Sequence, residues 1–240
     1  MNIRTRTIDY RDGTQVLQGF MCCDAAAPGP VPGVLVAHTW RGRSEYEEKK
    51  ARQLAELGYA GFALDLFGKG VLGSSLEENR ALIQPFMDDR SLLARRMQLA
   101  VDELRRQDEV DETRVAAIGF CFGGLCVLDL ARSGSDVNAV ASFHGLLTPP
   151  PDAGSGPIRS KILIMHGWDD PMAPPEHLVA LGRELTGKQA DWQIHAYGNA
   201  MHAFTNPLAD NPDFGTVYQP DADRRSWASM QTFLTEVLAR

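Results

Sequence analysis

Cysteine is scarce in this sequence, with four residues in 240. Cys22 and Cys23 are adjacent, and Cys121 and Cys126 lie five positions apart. Neither pair has the spacing of a zinc site or a redox dithiol, and four cysteines do not make a secreted disulfide scaffold. The six histidines include no His-x-x-x-His pair or similar ligand spacing, so no metal and no cofactor are expected. No window approaches the ~20 consecutive apolar residues of a membrane helix. Met1–Tyr10 lacks the apolar stretch of a secretory signal. Basic residues do not dominate: 24 Lys and Arg face 31 Asp and Glu, for a net charge of −7, which argues against a nucleic-acid partner. Internal repeats, linkers and low-complexity tracts are missing too. These absences predict a soluble, reduced, cytoplasmic protein acting on a small molecule, with no nucleic acid and no membrane as partner. They leave oligomeric state open.

What is present is globular: 44 % apolar and 23 % charged residues. A chain of this length can bury a full core without metal or disulfide staples. Arg4–Tyr10 and Thr14–Met21 alternate around Asp12-Gly13, a strong hairpin signal. Ala25–Gly33 reads as a loop. Val34–His38 is a short apolar run, as expected of a buried strand. Glu45–Leu57 has helical spacing, with Ala51, Leu54, Ala55 and Leu57 inward and Gly58 closing it. Further strands are expected at Ala60–Leu66, Val115–Ile118, Ala139–Phe143, Ile162–His166 and Trp192–Tyr197. Helices are expected at Leu76–Met87, Ser91–Arg106, Gly123–Ala131, His177–Leu185 and Ala222–Leu238. Phe67–Ser75, with three glycines, and Thr148–Gly156, with three consecutive prolines, read as loops. Alternation of this kind implies an α/β fold with a mostly parallel central sheet, helices on both faces and an N-terminal hairpin. One domain over 1–240 is expected.

Gly119-Phe120-Cys121-Phe122-Gly123 follows the Val115–Ile118 strand and opens a helix. This is the G-x-S-x-G nucleophile elbow with Cys in place of Ser. The sharp strand-to-helix reversal strains the backbone at the nucleophile, and bulky neighbours would collide with the turn. A helix N-terminus also favours a thiolate, the reactive form of cysteine. The competing reading is a buried structural cysteine; the strand before and the helix after favour the nucleophile. Cys126 points about 140° around the helix from Cys121 and is assigned to packing. Cys22 and Cys23, at a strand end, are expected to face opposite ways.

A thiol nucleophile needs a base, and the base needs an orienting group. In this sheet type the order is nucleophile, acid, then histidine. Asp169 and Asp170 follow the Ile162–His166 strand, and His202 follows the last strand. Composition does not separate the two aspartates. His38 and His166 end buried strands and read as hydrogen-bonded structural residues. His177 and His195 read as surface residues, and His144 stands on the catalytic edge. Oxyanion donors are expected from the backbone N–H of Phe122 and of Trp40, in the loop after the first parallel strand.

Together Val34–Gly42, Gly58–Gly70, Gly119–Gly124, His166–Pro174 and Met201–Phe204 resemble, in order, the dienelactone hydrolase family of α/β-hydrolases, over roughly residues 10–238. The resemblance implies the α/β-hydrolase fold and a triad of Cys121, Asp170 and His202, preferring Asp170 over Asp169. Two departures stand out. The family's first-loop Glu, which partners the resting cysteine, is matched by Thr39. The substrate-carboxylate Arg after the catalytic His is missing from Ala203-Phe204-Thr205-Asn206. Arg80 and Arg90 read as solvated helix residues rather than replacements. An apolar, aromatic pocket is expected instead, drawn from Thr39, Phe67, His144, Trp168 and Phe204.

The expected chemistry is hydrolysis of small activated esters or lactones through a covalent cysteine intermediate. An activated phosphotriester is a second substrate class, because a neutral triester does not repel a thiolate. A non-catalytic ligand-binding module on the same fold, and acyl transfer to a nucleophile other than water, are the alternatives.

Overall fold

The computed structural model describes residues 1–151, 153–154 and 156–239. It therefore describes all of the expected Thr148–Gly156 loop except Asp152 and Ser155, which, like Arg240 of the expected domain, lie outside the described residues. Eight strands belong to one mixed, mostly parallel sheet, and a two-stranded ribbon is separate. The chain divides into two compact units, Met1–Ile118 and Gly119–Arg240.

In the first unit, β1 (Ile3–Asp12) and β2 (Gln15–Asp24) form the expected antiparallel hairpin. It turns at Gly13-Thr14, where Gly13 takes the left-handed φ of +59°. β2 pairs antiparallel with β4 (Ala60–Ala63), and β4 pairs parallel with β3 (Val31–Ala37). The expected strand at Ala60–Leu66 stops at Ala63, because the Asp65 carboxylate organises the chain beyond it. One oxygen accepts from Phe67 N (2.9 Å) and Gly68 N (3.0 Å), the other from Gln18 N (3.0 Å).

Helix α1 (Glu45–Glu56) begins at a capping box between Ser44 and Glu47 and packs on β2, β3 and β4. Its Glu47 also accepts from Thr39 N at 3.0 Å, tying the loop after β3 to the helix start. Leu57 does not face inward as expected. It is the C-cap residue and is 42 % exposed, because the helix turns off at Gly58 (φ +90°). Helices α2 (Leu76–Asp88) and α3 (Arg90–Arg105) follow, and α3 packs on β1 and β3. Arg80 is exposed as expected, but Arg90 is buried at the start of α3. Cys22 and Cys23 are both buried, against the expected in-and-out split. Burial pushes the Cys22 thiol up to about 12.

β5 (Val110–Phe120) carries the chain from the first unit into the second and is longer than the apolar core Val115–Ile118. In the second unit α4 (Phe122–Arg132) packs on β6 (Ala139–Phe143). β6 pairs parallel with β7 (Lys161–Gly167), and β7 with β8 (Trp192–Tyr197). Helix α5 (Pro175–Gly187) joins β7 to β8, and α6 (Pro220–Val237) packs on β6 and β7. The ribbon of β9 (Asp210–Asn211) and β10 (Thr216–Val217), joined through a 3-10 turn at Pro212–Phe214, is absent from the sequence expectation.

Candidate active site

The elbow forms because its glycines leave room for the turn. A Cβ on Gly119 would collide with the Gly123 carbonyl, and one on Gly124 would sit 2.6 Å from Ser142 Oγ. Cys121 takes φ +57° and ψ −118°, a conformation that non-glycine residues rarely adopt. Strain of this kind costs about 1–3 kcal/mol and persists only where surroundings enforce it. Here Cys121 N donates to Phe143 O (3.0 Å) and to His144 Nδ1 (3.2 Å). The side chain is half-buried at the start of α4, whose first residue is Phe122.

β7 ends at Gly167, and the next turn buries Asp170 while leaving Asp169 exposed. Asp170 Oδ1 accepts from Met172 N at 2.8 Å, and Oδ2 lies 2.8 Å from His202 Nδ1. The geometry thus pairs His202 with Asp170 and not with Asp169, whose N–H is spent on Ala200 O at 3.0 Å. His202 is buried, and its Nε2 has no hydrogen-bond partner. Burial opposes charge on this ring. The electrostatic interaction with Cys121 and the hydrogen bond to Asp170 outweigh it and push His202 up to about 10.

The β9–β10 ribbon braces the base. His202 N donates to Gly215 O (3.0 Å), and Val217 N donates to His202 O (3.1 Å). Gly215 has φ +79°, and a Cβ there would collide with Pro171, next to Asp170. One short ribbon therefore touches the chain beside both members of the pair. Its eight residues, with a single Pro and a single Gly, gave no periodicity from which to find it.

The expected pocket residues scatter. Trp168 is 50 % exposed and lines an open apolar groove of about 650 Å³ between α5 and β8, with Leu178, Val179, Trp192 and Ile194. Phe204 is fully buried core, packed on Tyr197 and edge-on to His144 at 5.1 Å. His144 is buried, with ring nitrogens at Cys121 N and Thr205 Oγ1. Each of these three side chains is thus engaged by, or turned toward, other parts of the second unit. Thr39, Trp40 and Phe67 belong to the first unit. Thr39 and Trp40 are half-buried, and Phe67 is buried against His38 (4.5 Å between ring centroids) and Phe86 (5.6 Å).

His38 and His166 are hydrogen-bonded, as expected of strand-end histidines. His38 Nδ1 reaches Thr39 O (2.7 Å) and its Nε2 accepts from Leu66 N (3.1 Å). His166 Nε2 reaches Ala173 O at 2.7 Å. Burial lowers both below the ordinary histidine value. His177 and His195 are half-buried rather than fully at the surface. Cys126 is buried on α4, in keeping with packing. Among the described residues no group of three or more His, Cys, Asp or Glu could hold a metal ion, and no helix is long and apolar enough to cross a membrane.

Several known proteins resemble this chain. The crystal structure of a dienelactone hydrolase-like promiscuous phosphotriesterase, P91 from metagenomic libraries, is 38 % identical with a TM-score of 0.95, covering 100 % of both chains. Uncharacterized protein K02A2.1 of Caenorhabditis elegans is 35 % identical over 158 residues, which are 63 % of this chain and 98 % of that protein. Dienelactone hydrolase from Anabaena variabilis shares the fold, with a TM-score of 0.72 at 20 % identity over 99 % of this chain and 100 % of that one. The family model described as dienelactone hydrolase matches residues 17–238. This chain belongs to the dienelactone hydrolase family, a family of α/β-hydrolases.

Proposed function

We propose that this chain hydrolyses small activated esters or lactones, with Cys121 as nucleophile, His202 as acid and base, and Asp170 as the group that orients His202. The observation that carries the reading is the buried Asp170–His202 contact of 2.8 Å with an unpartnered Nε2, in the same unit as a strained cysteine at a helix start. A base oriented on one nitrogen and open on the other is the arrangement a covalent hydrolase requires.

The Cys121 thiolate adds to the carbonyl carbon, and the carbonyl oxygen becomes an oxyanion. The backbone N–H of Phe122, at the positive end of α4, donates to it. The Trp40 N–H is the second donor in this proposal, by its place after β3. The oxyanion collapses, the C–O bond breaks, and the proton on His202 Nε2 passes to the leaving alkoxide. The ring is then a neutral base. It takes a proton from water, the hydroxide attacks the thioester, and the thiolate leaves as the acid product forms. Neutral phosphotriesters are proposed as a second class, supported by the name of the 38 % identical structure and by the absence of an Arg at Ala203–Asn206. Thr39 and Phe67 remain in the proposed substrate pocket. A reducing, cytoplasmic setting is part of the same proposal, in keeping with four free thiols.

The test is p-nitrophenyl butyrate turnover by wild type and Cys121→Ala at matched concentration. Turnover only by wild type supports the proposal, whereas equal turnover removes Cys121 from the mechanism. Paraoxon measured on the same pair tests the second class in the same way.

A further inference from the structure

Beneath the elbow lies a histidine that the proposed reaction does not use. His144 follows β6, and its N–H donates to Met165 O at 2.9 Å. Its φ is +38°, in the left-handed region where a bulky side chain is held only by its surroundings. Its Nδ1 accepts the Cys121 N–H at 3.2 Å, and its Nε2 lies 2.7 Å from Thr205 Oγ1. An imidazole that accepts at Nδ1 carries its proton at Nε2, so Nε2–H donates to the Thr205 hydroxyl. The two contacts select one neutral tautomer. A proton on Nδ1 would turn the acceptor into a donor facing the Cys121 N–H. The ring also stands edge-on to His202, at 5.3 Å between centroids and 66° between planes. One side chain thus touches the nucleophile's backbone and the ring of the base.

We propose that His144 is a positioning residue for the Cys121–His202 pair, held in its working tautomer by Thr205. This rests on the thiol-hydrolase reading. Two acceptors, Phe143 O and His144 Nδ1, share the Cys121 amide and hold the backbone at its strained φ. The ring backs His202 and limits its rotation, which keeps Nδ1 on Asp170 and leaves Nε2 open. With both nitrogens bound within the chain, His144 acts through its neighbours and not on substrate. Phe204, edge-on to His144 at 5.1 Å, fixes the ring from another side.

The experiment compares wild type, His144→Asn, His144→Leu and Thr205→Val, with Cys121→Ala as control. It reads kcat, KM and the pH profile for p-nitrophenyl butyrate, and the melting temperature. Asn tolerates positive φ and places its Oδ1 where His144 Nδ1 sits, whereas Leu offers no acceptor. His144→Leu is expected to lose about 10²-fold in kcat at nearly unchanged KM, the scale of a small misplacement of reacting groups. His144→Asn is expected to recover most of that loss. The groups facing His202 are Cys121, Asp170, His144 and His166. With the first two intact, the alkaline limb of the His144→Leu profile moves to lower pH as His202 loosens from Asp170.

Thr205→Val removes the hydroxyl that faces His144 Nε2 and leaves residue 144 itself unchanged. It is expected to lower kcat at unchanged KM, with a melting temperature only a few degrees lower because the buried Nε2–H loses its acceptor, and so keeps the test open if His144→Leu does not fold. The proposal is overturned if Thr205→Val and His144→Leu keep the wild-type kcat and pH profile. It is overturned too if the loss falls on KM, which would mark a substrate contact. If His144→Asn loses as much as His144→Leu, the role is only structural. Full activity of Cys121→Ala would strike the hydrolase reading itself, a different failure.

Discussion

Asp170→Asn is the substitution whose consequence follows most directly from the geometry. The wild-type carboxylate is buried and has two obligations: Oδ2 on His202 Nδ1 and Oδ1 on Met172 N, both at 2.8 Å. An asparagine has one acceptor oxygen for these two donors. If the oxygen stays on Met172 N, the amide NH2 faces His202 Nδ1 and forces the proton to Nε2, where it prevents the ring from acting as a base. The ionic support for the imidazolium goes too. Two unit charges about 4 Å apart at an effective dielectric of about 20 attract by about 4 kcal/mol. At 1.36 kcal/mol per decade that is roughly 10³ in rate. The tautomer error brings the expectation to about 10³–10⁴ in kcat, the scale known for an oriented histidine that loses its carboxylate. KM should hold, because Asp170 is buried behind the base. The assay is steady-state hydrolysis of p-nitrophenyl butyrate across pH, with circular dichroism to confirm folding. The alkaline limb should also fall below the wild-type value, set by His202 at about 10. A folded Asp170→Asn variant with kcat within about threefold of wild type would refute the reasoning, and a matching loss in Asp169→Asn would move the role to its neighbour.

Three other outcomes are expected. Gly215→Ala forces a Cβ toward Pro171 at φ +79° and should destabilise by about 1–2 kcal/mol, lowering the melting temperature by several degrees; an unchanged melting curve would show that the ribbon yields freely. Arg132→Met breaks a buried cluster in which the guanidinium holds Asp129 (3.1 Å), Glu184 (2.8 Å) and Leu147 O (2.9 Å), and should cost about 3–5 kcal/mol by urea unfolding because buried Asp129 loses its ion pair with Arg132 and Glu184 keeps only Lys188 at 3.6 Å. His202, raised when folded, binds its proton more tightly in the native state, so its contribution to stability is complete below about pH 6.5 and is lost as pH rises toward 10. Urea midpoints between pH 6 and 10.5 should therefore fall more steeply for wild type than for His202→Gln, which has no ring to titrate.

The elbow was legible in the sequence because steric exclusion leaves a sequence mark. Gly119 and Gly124 have no room for a Cβ, and no other residue serves there. The alternation of strands and helices was legible for a similar reason, since apolar runs such as Val34–Ala37 and Ile162–Met165 have one way to be buried. Side-chain direction in loops was not. Trp168 and Phe204 flank the Asp170–His202 pair in sequence, yet one turns to the α5–β8 groove and the other into the core. Aromatic character alone carries no direction. The Asp169–Asp170 choice depended on which carboxylate the turn buries, a property of the Gly167–Asp170 turn and not of spacing. Asp65 shows the converse. Its three backbone donors end β4 and shape the following loop, and a lone Asp in an apolar stretch was the signal that could have found it. The β9–β10 ribbon escaped because two-residue strands have no period to detect.

In the proposed reaction the Cys121 sulfur carries the acyl group. Acid quenching during p-nitrophenyl butyrate turnover, followed by peptide mapping by mass spectrometry, reads this directly. A butyryl thioester is expected on the Cys121 peptide of wild type, and an unmodified peptide with no turnover in Cys121→Ala. A Cys121 peptide that stays unmodified during an active burst, or a butyryl group on another residue, would contradict it.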